Sequence, residues 1–245
     1  MHPALEHQAH RPWRIPACEW TWRQQWRDLL FAHWEVPVAE VRKWVPEPLQ
    51  IDTFDGKTYI ALVPFRMTGV MKRPFPDVPY VSAFTEMNVR VYVTYQNKPG
   101  VWFLSLDADN HLAVWAARRF FDLPYYYAEM GVRHLDQRIA YRSTRRERGH
   151  AFVGEYGPCS DVFLAQKGTL EHWLTERYCL YAERKDGSQW RTEVHHAPWP
   201  LQTGTLEMET QSMFRDYGLQ DMGKAPLLHF ARFIDVVVWD PERID

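Results

Sequence analysis

Residues 83–95, AFTEMNVRVYVTY, constrain the fold more than any other stretch, because apolar and polar residues alternate through them. Successive side chains of a strand point to opposite faces, so this alternation predicts a β-strand, as does the β-branched and aromatic content. One predicted face carries Met87, Val89, Val91, Val93 and Tyr95. The opposite face carries Glu86, Asn88, Arg90, Tyr92 and Thr94. The turn signal at 96–100, QNKPG, predicts that the chain then reverses into a second strand.

The polar row Glu86, Asn88 and Arg90 has two interpretations. On an antiparallel sheet with one solvated face the row is ordinary surface, which is the default for such sheets. Inside a closed barrel the row is a binding site, where Arg90 holds a carboxylate and Glu86 is an acid or base with a tunable pKa. Arg66 ends a predicted strand, ALVPFRM, and either joins this row or lies on the surface.

Many short apolar segments separated by turn signals predict further strands. These are residues 28–36, 49–53, 58–67, 101–107, 125–133, 138–144, 151–156, 178–184, 189–196, 201–210 and 228–239. Helices are predicted at 37–44, 110–121 and 169–177, and a short helical segment at 211–217. We therefore expect a mainly β (α+β) fold, an antiparallel sheet that closes or curls on itself, with two or three inserted helices. The chain contains no GxGxxG or P-loop pattern, which disfavours a parallel nucleotide-binding sheet.

Composition limits the partners. A net charge of −2 over 245 residues gives no reason to expect nucleic acid. The basic cluster Arg142, Arg145, Arg146 and Arg148 is interpreted as a solvated strand end or hairpin, with a phosphate-binding patch as the alternative. Three widely spaced cysteines without a CxxC pattern favour neither disulfides nor structural zinc. The 12 Trp, 12 Tyr and 13 Phe suit sheets packed around a lined cavity, although they also suit a plain core.

The N-terminal segment has no apolar core typical of a signal peptide, and no run is long enough to span a membrane. We therefore expect a cytoplasmic protein that does not bind a membrane, with a flexible leader at 1–19 and a single domain at 20–245. Nothing in the sequence requires a cofactor or a metal. An assembly of identical chains is left open.

Other polar residues are weaker candidates. His195 and His196 are adjacent, so on a strand they point to opposite faces and do not readily bind one metal ion. Either is a structural histidine or lines a cavity, and His195 is retained as a ligand-binding candidate. His33 has the same two interpretations. Ser105 lacks the GxSxG context of a nucleophile and is kept only as a ligand-binding candidate.

Seven stretches of the chain together resemble the YqjF-like family of uncharacterised bacterial proteins. They are LLFAHWEVP, TFDGKTYIALVPFRM, FTEMNVRVYV, KPGVWFLSLDA, FDLPYYYAEM, LTERYCLYAERKDGSQWR and HHAPWPLQ, in this order. The resemblance runs from about Trp20 to the last strand. That family is similar to acetoacetate decarboxylase in fold, which implies a cone-shaped antiparallel barrel with an enclosed cavity. It also implies that Glu86 points inward, at the position of a catalytic glutamate.

One departure from the decarboxylase pattern concerns the catalytic amine. Where those enzymes carry Pro-Lys-Lys after the first long helix, this chain has Leu123, Pro124, Tyr125 and Tyr126. The first of those lysines forms a Schiff base with the keto acid, and tyrosine cannot form an imine. The resemblance therefore implies a related architecture without acetoacetate decarboxylation.

Two functions remain from this reasoning. The first is an enzyme without covalent catalysis, acting on a small carboxylate or carbonyl compound by proton transfer or lyase chemistry. Glu86 would be the general acid or base, Tyr125 or Tyr126 the donor to oxyanion charge, and Asn88 would orient the ligand held by Arg90. The second is a module that binds a small molecule without turnover, or a scaffold for protein partners.

Overall fold

The computed structural model describes residues 2–77, 82–219 and 224–245, without the side chain of Phe120. The strands are β1 (Trp22–Val36), β2 (Gln50–Ile51), β3 (Thr58–Lys72), β4 (Phe84–Tyr95), β5 (Lys98–Ala108), β6 (Tyr125–Leu135), β7 (Arg138–Arg145), β8 (Ala151–Pro158), β9 (Cys179–Glu183), β10 (Gln189–His196), β11 (Gln202–Gln211), β12 (Leu227–Val238) and β13 (Glu242–Arg243). The α-helices are α1 (Val38–Arg42), α2 (His111–Phe120) and α3 (Leu170–Thr175), and 3₁₀ turns occupy Pro3–Glu6 and Arg215–Tyr217. The expected mainly β fold with inserted helices is confirmed.

Two predicted boundaries are wrong for local reasons. The turn after β4 consists of Gln96 and Asn97 alone, with φ of +50° and +60°, as a two-residue hairpin turn of type I′ requires. The turn predicted at 96–100 is therefore too long, because Pro99 pairs with Thr94 inside the hairpin. The helical segment predicted at 211–217 is also too long, because β11 continues to Gln211 and only a 3₁₀ turn follows.

Strand pairing closes the sheet into two circuits that share five strands. The common wall runs β12, β1, β3, β4 and β5 in spatial order. Through β6, β7, β8 and β11 this wall closes into a nine-strand barrel. Through β9 and β10 it closes into a smaller circuit of seven strands. Most pairings are antiparallel, while β5 pairs in parallel with both β6 and β9.

The two circuits separate within β5 and β12, because each of these strands pairs with different neighbours along its length. The end of β5, at Leu106–Ala108, pairs with β6, whereas its earlier residues Val101 and Trp102 pair with β9. In the same way β12 pairs near its start with β11 and near its end with β10. Each face of the shared wall is therefore covered by a different set of strands. This is why β4 is buried on both faces rather than on one.

The apolar face of β4 packs in the nine-strand barrel. Met87, Val89, Val91 and Val93 contribute to a core cluster with Tyr141 and Phe152 of β7 and β8. The face that carries Glu86 belongs to the smaller circuit, where residues of β1, β3, β10 and β12 form a separate apolar cluster. The two cores lie back to back across one sheet.

Helix α2 begins where the Asn110 side chain accepts hydrogen bonds from the backbone N–H groups of Leu112 and Ala113. Its small residues Ala113, Ala116 and Ala117 face the smaller circuit. The helix was predicted at 110–121, and its position at the end of β5 lets it cover one end of that circuit. Within the described ranges, none of the helices combines the length and hydrophobicity needed to cross a bilayer.

The N-terminal segment lies against β10. The buried Arg11 guanidinium donates to the Val194 carbonyl at 2.5 Å and to Glu193 Oε2 at 2.5 Å, and Trp13 Nε1 donates to the same carboxylate at 2.9 Å. These residues fall in the leader predicted at 1–19. The division of the chain at residue 19, and the flexibility of the leader, stay predictions.

Candidate functional site

The smaller circuit encloses a cavity of about 260 Å³. All seven of its strands contribute lining side chains, and α2 covers one end with Leu112 and its three alanines. Large apolar side chains such as Trp26, Phe31, Phe65 and Trp199 supply most of the wall. Cavities with apolar walls and a few convergent polar groups are typical of small-molecule sites.

The polar row of β4 points into this cavity. Glu86, Asn88 and Arg90 all line it, and their exposed fractions are 3%, 5% and 8%. The interpretation of the row as solvent-exposed surface is therefore wrong. The physical reason is the second closed circuit, which covers the face of the sheet that an open antiparallel sheet would leave to water.

Glu86 is held by Tyr125, the first residue of β6. The Tyr125 hydroxyl donates to Glu86 Oε2 at 2.8 Å, and the Tyr141 hydroxyl donates to the Glu86 backbone carbonyl at 2.8 Å. Burial raises the pKa of the Glu86 carboxyl to about 8, with the Tyr125 hydrogen bond opposing this and the Asp107 charge adding to it. The carboxyl is therefore largely protonated at neutral pH and able to donate a hydrogen bond to a ligand.

Arg90 has no ion-pair partner among the described residues. Its Nε and Nη2 atoms are buried without a hydrogen-bond partner, as is Asn88 Oδ1. The guanidinium lies over the Phe31 ring at 5.3 Å and near the Tyr92 ring at 5.8 Å. An unpaired buried charge is costly, so this arrangement favours an anionic group in the cavity.

Two of the predicted ligand-binding residues, Arg66 and Ser105, do not line this cavity. Arg66 lies opposite Thr85, and its Nε is 3.4 Å from Asp28 Oδ2 at a separate, partly exposed ion cluster. Ser105 is buried without lining the cavity.

Two pairs of adjacent residues show how strand alternation decides which side chain enters the cavity. Tyr125 points into the cavity, whereas Tyr126 points away and lies against the Arg145 guanidinium at 4.0 Å. His196 lines the cavity, whereas His195 points to the opposite side, with its Nε2 3.1 Å from the His7 carbonyl. The structure thus places Tyr126 and His195 outside the cavity.

Sequence reasoning missed Arg177, which follows α3 and lines the cavity. Its Nη1 donates to Asp52 Oδ2 at 2.5 Å and its Nε to the Trp173 carbonyl at 2.7 Å. Its Nη2 has no hydrogen-bond partner in the described part of the chain. The only sequence signal was an arginine directly before a buried strand, in LTERYCLY.

The basic cluster also needs correction at one position. Arg145 is not solvated but buried, and its Nη2 is 2.6 Å from Asp107 Oδ1. Arg146 and Arg148 are exposed and pair with Glu129 and Asp216. Alternation along β7 turns Arg145 inward.

No lysine is found among the described residues that line the cavity. Lys98, which falls in the stretch 96–100 predicted as a turn, is the first residue of β5 and pairs with Glu193 at 2.5 Å. Within the described part of the chain, no three His, Cys, Asp or Glu side chains are grouped so that they could hold a metal ion.

Comparisons with known proteins agree with this architecture. The model of the DUF2071 family, described as an uncharacterized conserved protein, matches residues 23–235. The chain is 42% identical over 226 residues to the uncharacterized protein YqjF of Bacillus subtilis. The aligned region covers 92% of this chain and 93% of that protein.

Solved structures with the same fold are enzymes of distant sequence. An acetoacetate decarboxylase-like enzyme from Sphingomonas wittichii superimposes with a TM-score of 0.65 at 11% identity, over 93% of this chain and 94% of that one. Acetoacetate decarboxylase from Legionella pneumophila gives 0.62 at 13% identity, over 94% and 92%. The enduracididine biosynthesis enzyme MppR, complexed with pyruvate, gives 0.61 at 11% identity, over 92% and 90%.

Proposed function

The chain belongs to the DUF2071 family of uncharacterized conserved proteins and has an acetoacetate decarboxylase-like fold, and from that premise we propose that its cavity binds a small organic acid or carbonyl compound. The observation that carries the proposal is the Glu86–Tyr125 pair, which faces the same apolar cavity as the unpaired Arg90. Arg90 anchors the acid group, and Asn88, between them on β4, orients the ligand.

Glu86 gives the site a group for proton transfer. In its protonated form it donates a hydrogen bond to the ligand carbonyl. In its carboxylate form, which increases as the pH approaches 8, it removes a proton from the carbon next to that carbonyl. The electron pair of the C–H bond then forms the enolate. The proton held by Glu86 exchanges with solvent, and Glu86 then gives a solvent-derived proton to the same carbon, which completes the exchange. Tyr125, at 2.8 Å, keeps the carboxyl in place through these changes.

A second candidate is binding without turnover. It is favoured by the lysine-free lining of the cavity in the described residues, since the related architecture uses an amine for its covalent chemistry. The binding residues are the same in both cases. The two functions differ only in whether protons on the bound ligand exchange.

Deuterium exchange separates them. A panel of oxo acids, from short 2-oxo and 3-oxo acids to long-chain acids with the carbonyl far from the carboxylate, is incubated with the protein in D₂O and followed by proton NMR, while their binding is measured by calorimetry. We expect binding together with exchange that is lost in Glu86→Gln. Binding without exchange would select the non-catalytic function.

Two neighbouring tyrosines supply the matched control. Tyr125→Phe removes the hydroxyl that contacts Glu86 and should alter ligand binding or proton exchange. Tyr126→Phe removes a hydroxyl from a side chain outside the cavity and should alter neither. If neither the acids nor the carbonyl compounds bind, the proposed function is refuted. The same holds if the two variants have equal effects.

A further inference from the structure

We infer that Arg177 joins Arg90 in one anion-binding end of the cavity, and that the ligand is an elongated, mostly apolar monocarboxylic acid. This inference rests on the proposed function and adds to it the ligand class and a second binding residue. Both guanidinium groups lie near the same ring, since the guanidinium carbon of Arg177 is 4.9 Å and that of Arg90 is 5.8 Å from the centre of the Tyr92 ring.

The charge around this ring is not balanced by the protein. Asp52, bound to Arg177, is the one carboxylate in ion-pair contact with either guanidinium among the described residues. The His33 Nε2 lies 2.7 Å from the Tyr92 hydroxyl, and an imidazole, neutral or protonated, supplies no negative charge to balance the two guanidinium groups. Burial lowers the pKa of His33 well below its usual value, and Arg90, His229 and Arg177 lower it further. Two guanidinium groups with one carboxylate leave one positive charge uncompensated, which a ligand with a single negative charge would balance.

The unused donors point to the same group. Arg90 Nε and Nη2 and Arg177 Nη2 are buried and have no hydrogen-bond partner among the described residues. The two arginines are only 8% and 6% exposed, respectively. Asp52 accepts from Nη1 and the Trp173 carbonyl accepts from Nε, which fixes the plane of the Arg177 guanidinium. Among the described residues, Nη2 is therefore the nitrogen of Arg177 left without a partner and free to bind a ligand. A carboxylate has two acceptor oxygens, which suits donors from two arginines.

The rest of the cavity determines the body of the ligand. Glu86 and Arg90 are four residues apart on β4, which separates their Cα atoms by about 13 Å. Phe31, Val63, Phe65 and Leu29 line the wall beside this row, and such surfaces favour an alkyl or aryl body. The Glu86–Tyr125 pair then meets a carbonyl or hydroxyl group well removed from the acid end. A two-carbon acid is too short to use both ends.

Calorimetry with octanoate, octan-1-ol and acetate tests the inference. We expect the wild-type protein to bind octanoate about tenfold or more tightly than octan-1-ol, because a charge-assisted hydrogen bond contributes about that factor. Octanoate should also bind about tenfold or more tightly than acetate, because acetate lacks the alkyl body that the apolar wall would bury. Arg177→Met should lose about tenfold in octanoate affinity while its affinity for octan-1-ol stays unchanged. If the role of Arg177 were purely structural, Arg177→Met would lower the affinities for octanoate and octan-1-ol equally, or would change neither.

Arg191→Met is the matched control. Arg191 is equally buried, at 7% exposed, but its Nε donates to Glu242 at 2.8 Å and it does not line the cavity. Its variant should bind octanoate like the wild type. If Arg177→Met does not fold, Arg177→Lys keeps a charge that can reach Asp52 and should still lose about fivefold in octanoate affinity, because lysine lacks the planar fork.

The outcomes are distinguishable. Equal octanoate affinity in the wild type and the folded Arg177 variant overturns the role of Arg177, and acetate binding as tightly as octanoate overturns the ligand class. In both cases the proposed function survives if other acids or carbonyl compounds bind and depend on Arg90 and Tyr125. If no compound of either class binds, the inference and the proposed function fall together.

Discussion

Replacing Glu86 by glutamine should make the protein more stable at pH 8 and remove a large part of its pH dependence. In the unfolded chain a glutamate ionises near its ordinary pKa of 4.5, but in the folded protein burial raises that pKa to about 8. Between these values the folded state holds a proton that the unfolded state has released. The free energy of unfolding therefore falls as the pH rises through this window.

The magnitude follows from the two pKa values. Moving the pKa from 4.5 to about 8 corresponds to at most about 5 kcal/mol of lost stability by pH 8, because one pKa unit is about 1.4 kcal/mol. Glutamine has nearly the shape of the protonated carboxyl, can still accept from Tyr125, and does not ionise. The variant should match the wild type at pH 4 to 5 and exceed it by several kcal/mol, of the order of that limit, at pH 8.

Urea unfolding followed by tryptophan fluorescence at pH 5, 6, 7 and 8 measures the effect. The difference between wild type and variant isolates Glu86, since all other groups titrate in both proteins. Glu147→Gln, at an exposed position, is the control and should change stability by about 0.5 kcal/mol or less at every pH. A wild-type-to-variant difference that does not change with pH, or that favours the wild type at pH 8, would refute the burial of Glu86.

Three other perturbations test separate contacts. Borohydride added with acetoacetate should leave the protein mass unchanged in mass spectrometry, because no lysine among the described residues lines the cavity; a reduced adduct would restore the Schiff-base route. Arg90→Lys should reduce the rise in melting temperature caused by bound carboxylates, and equal rises in both proteins would remove Arg90 from the site. Asp107→Asn should cost about 3–5 kcal/mol in urea unfolding, because it leaves the buried Arg145 without its carboxylate; a cost below about 1 kcal/mol would contradict that ion pair.

The sequence predicts local structure well because local signals determine it. The alternation in 83–95 identifies β4, and the capping residue Asn110 with its apolar stripe identifies α2. The resemblance to the decarboxylase-like family predicts the closed sheet and also the inward direction of Glu86. Periodicity cannot separate a solvated polar face from one covered by a second circuit of strands, because both give the same pattern.

The remaining errors come from long-range pairing. Whether His195 or His196 faces the cavity depends on how β10 pairs with β9 and β12, and the sequence of the strand alone fits either direction. Arg177 enters the site because Asp52, 125 positions earlier, fixes its guanidinium. Such a contact has no local signal, so it could not be predicted from the residues around either partner.

The most direct test of the enclosed polar row is an NMR titration of the Glu86 side-chain carboxyl carbon in protein labelled at glutamate, with Glu86→Gln used to assign the signal. An enclosed Glu86 held by Tyr125 should titrate near pH 8. A carboxyl that titrates near its ordinary value of 4.5 would mean that water reaches the row, and the cavity site would be contradicted.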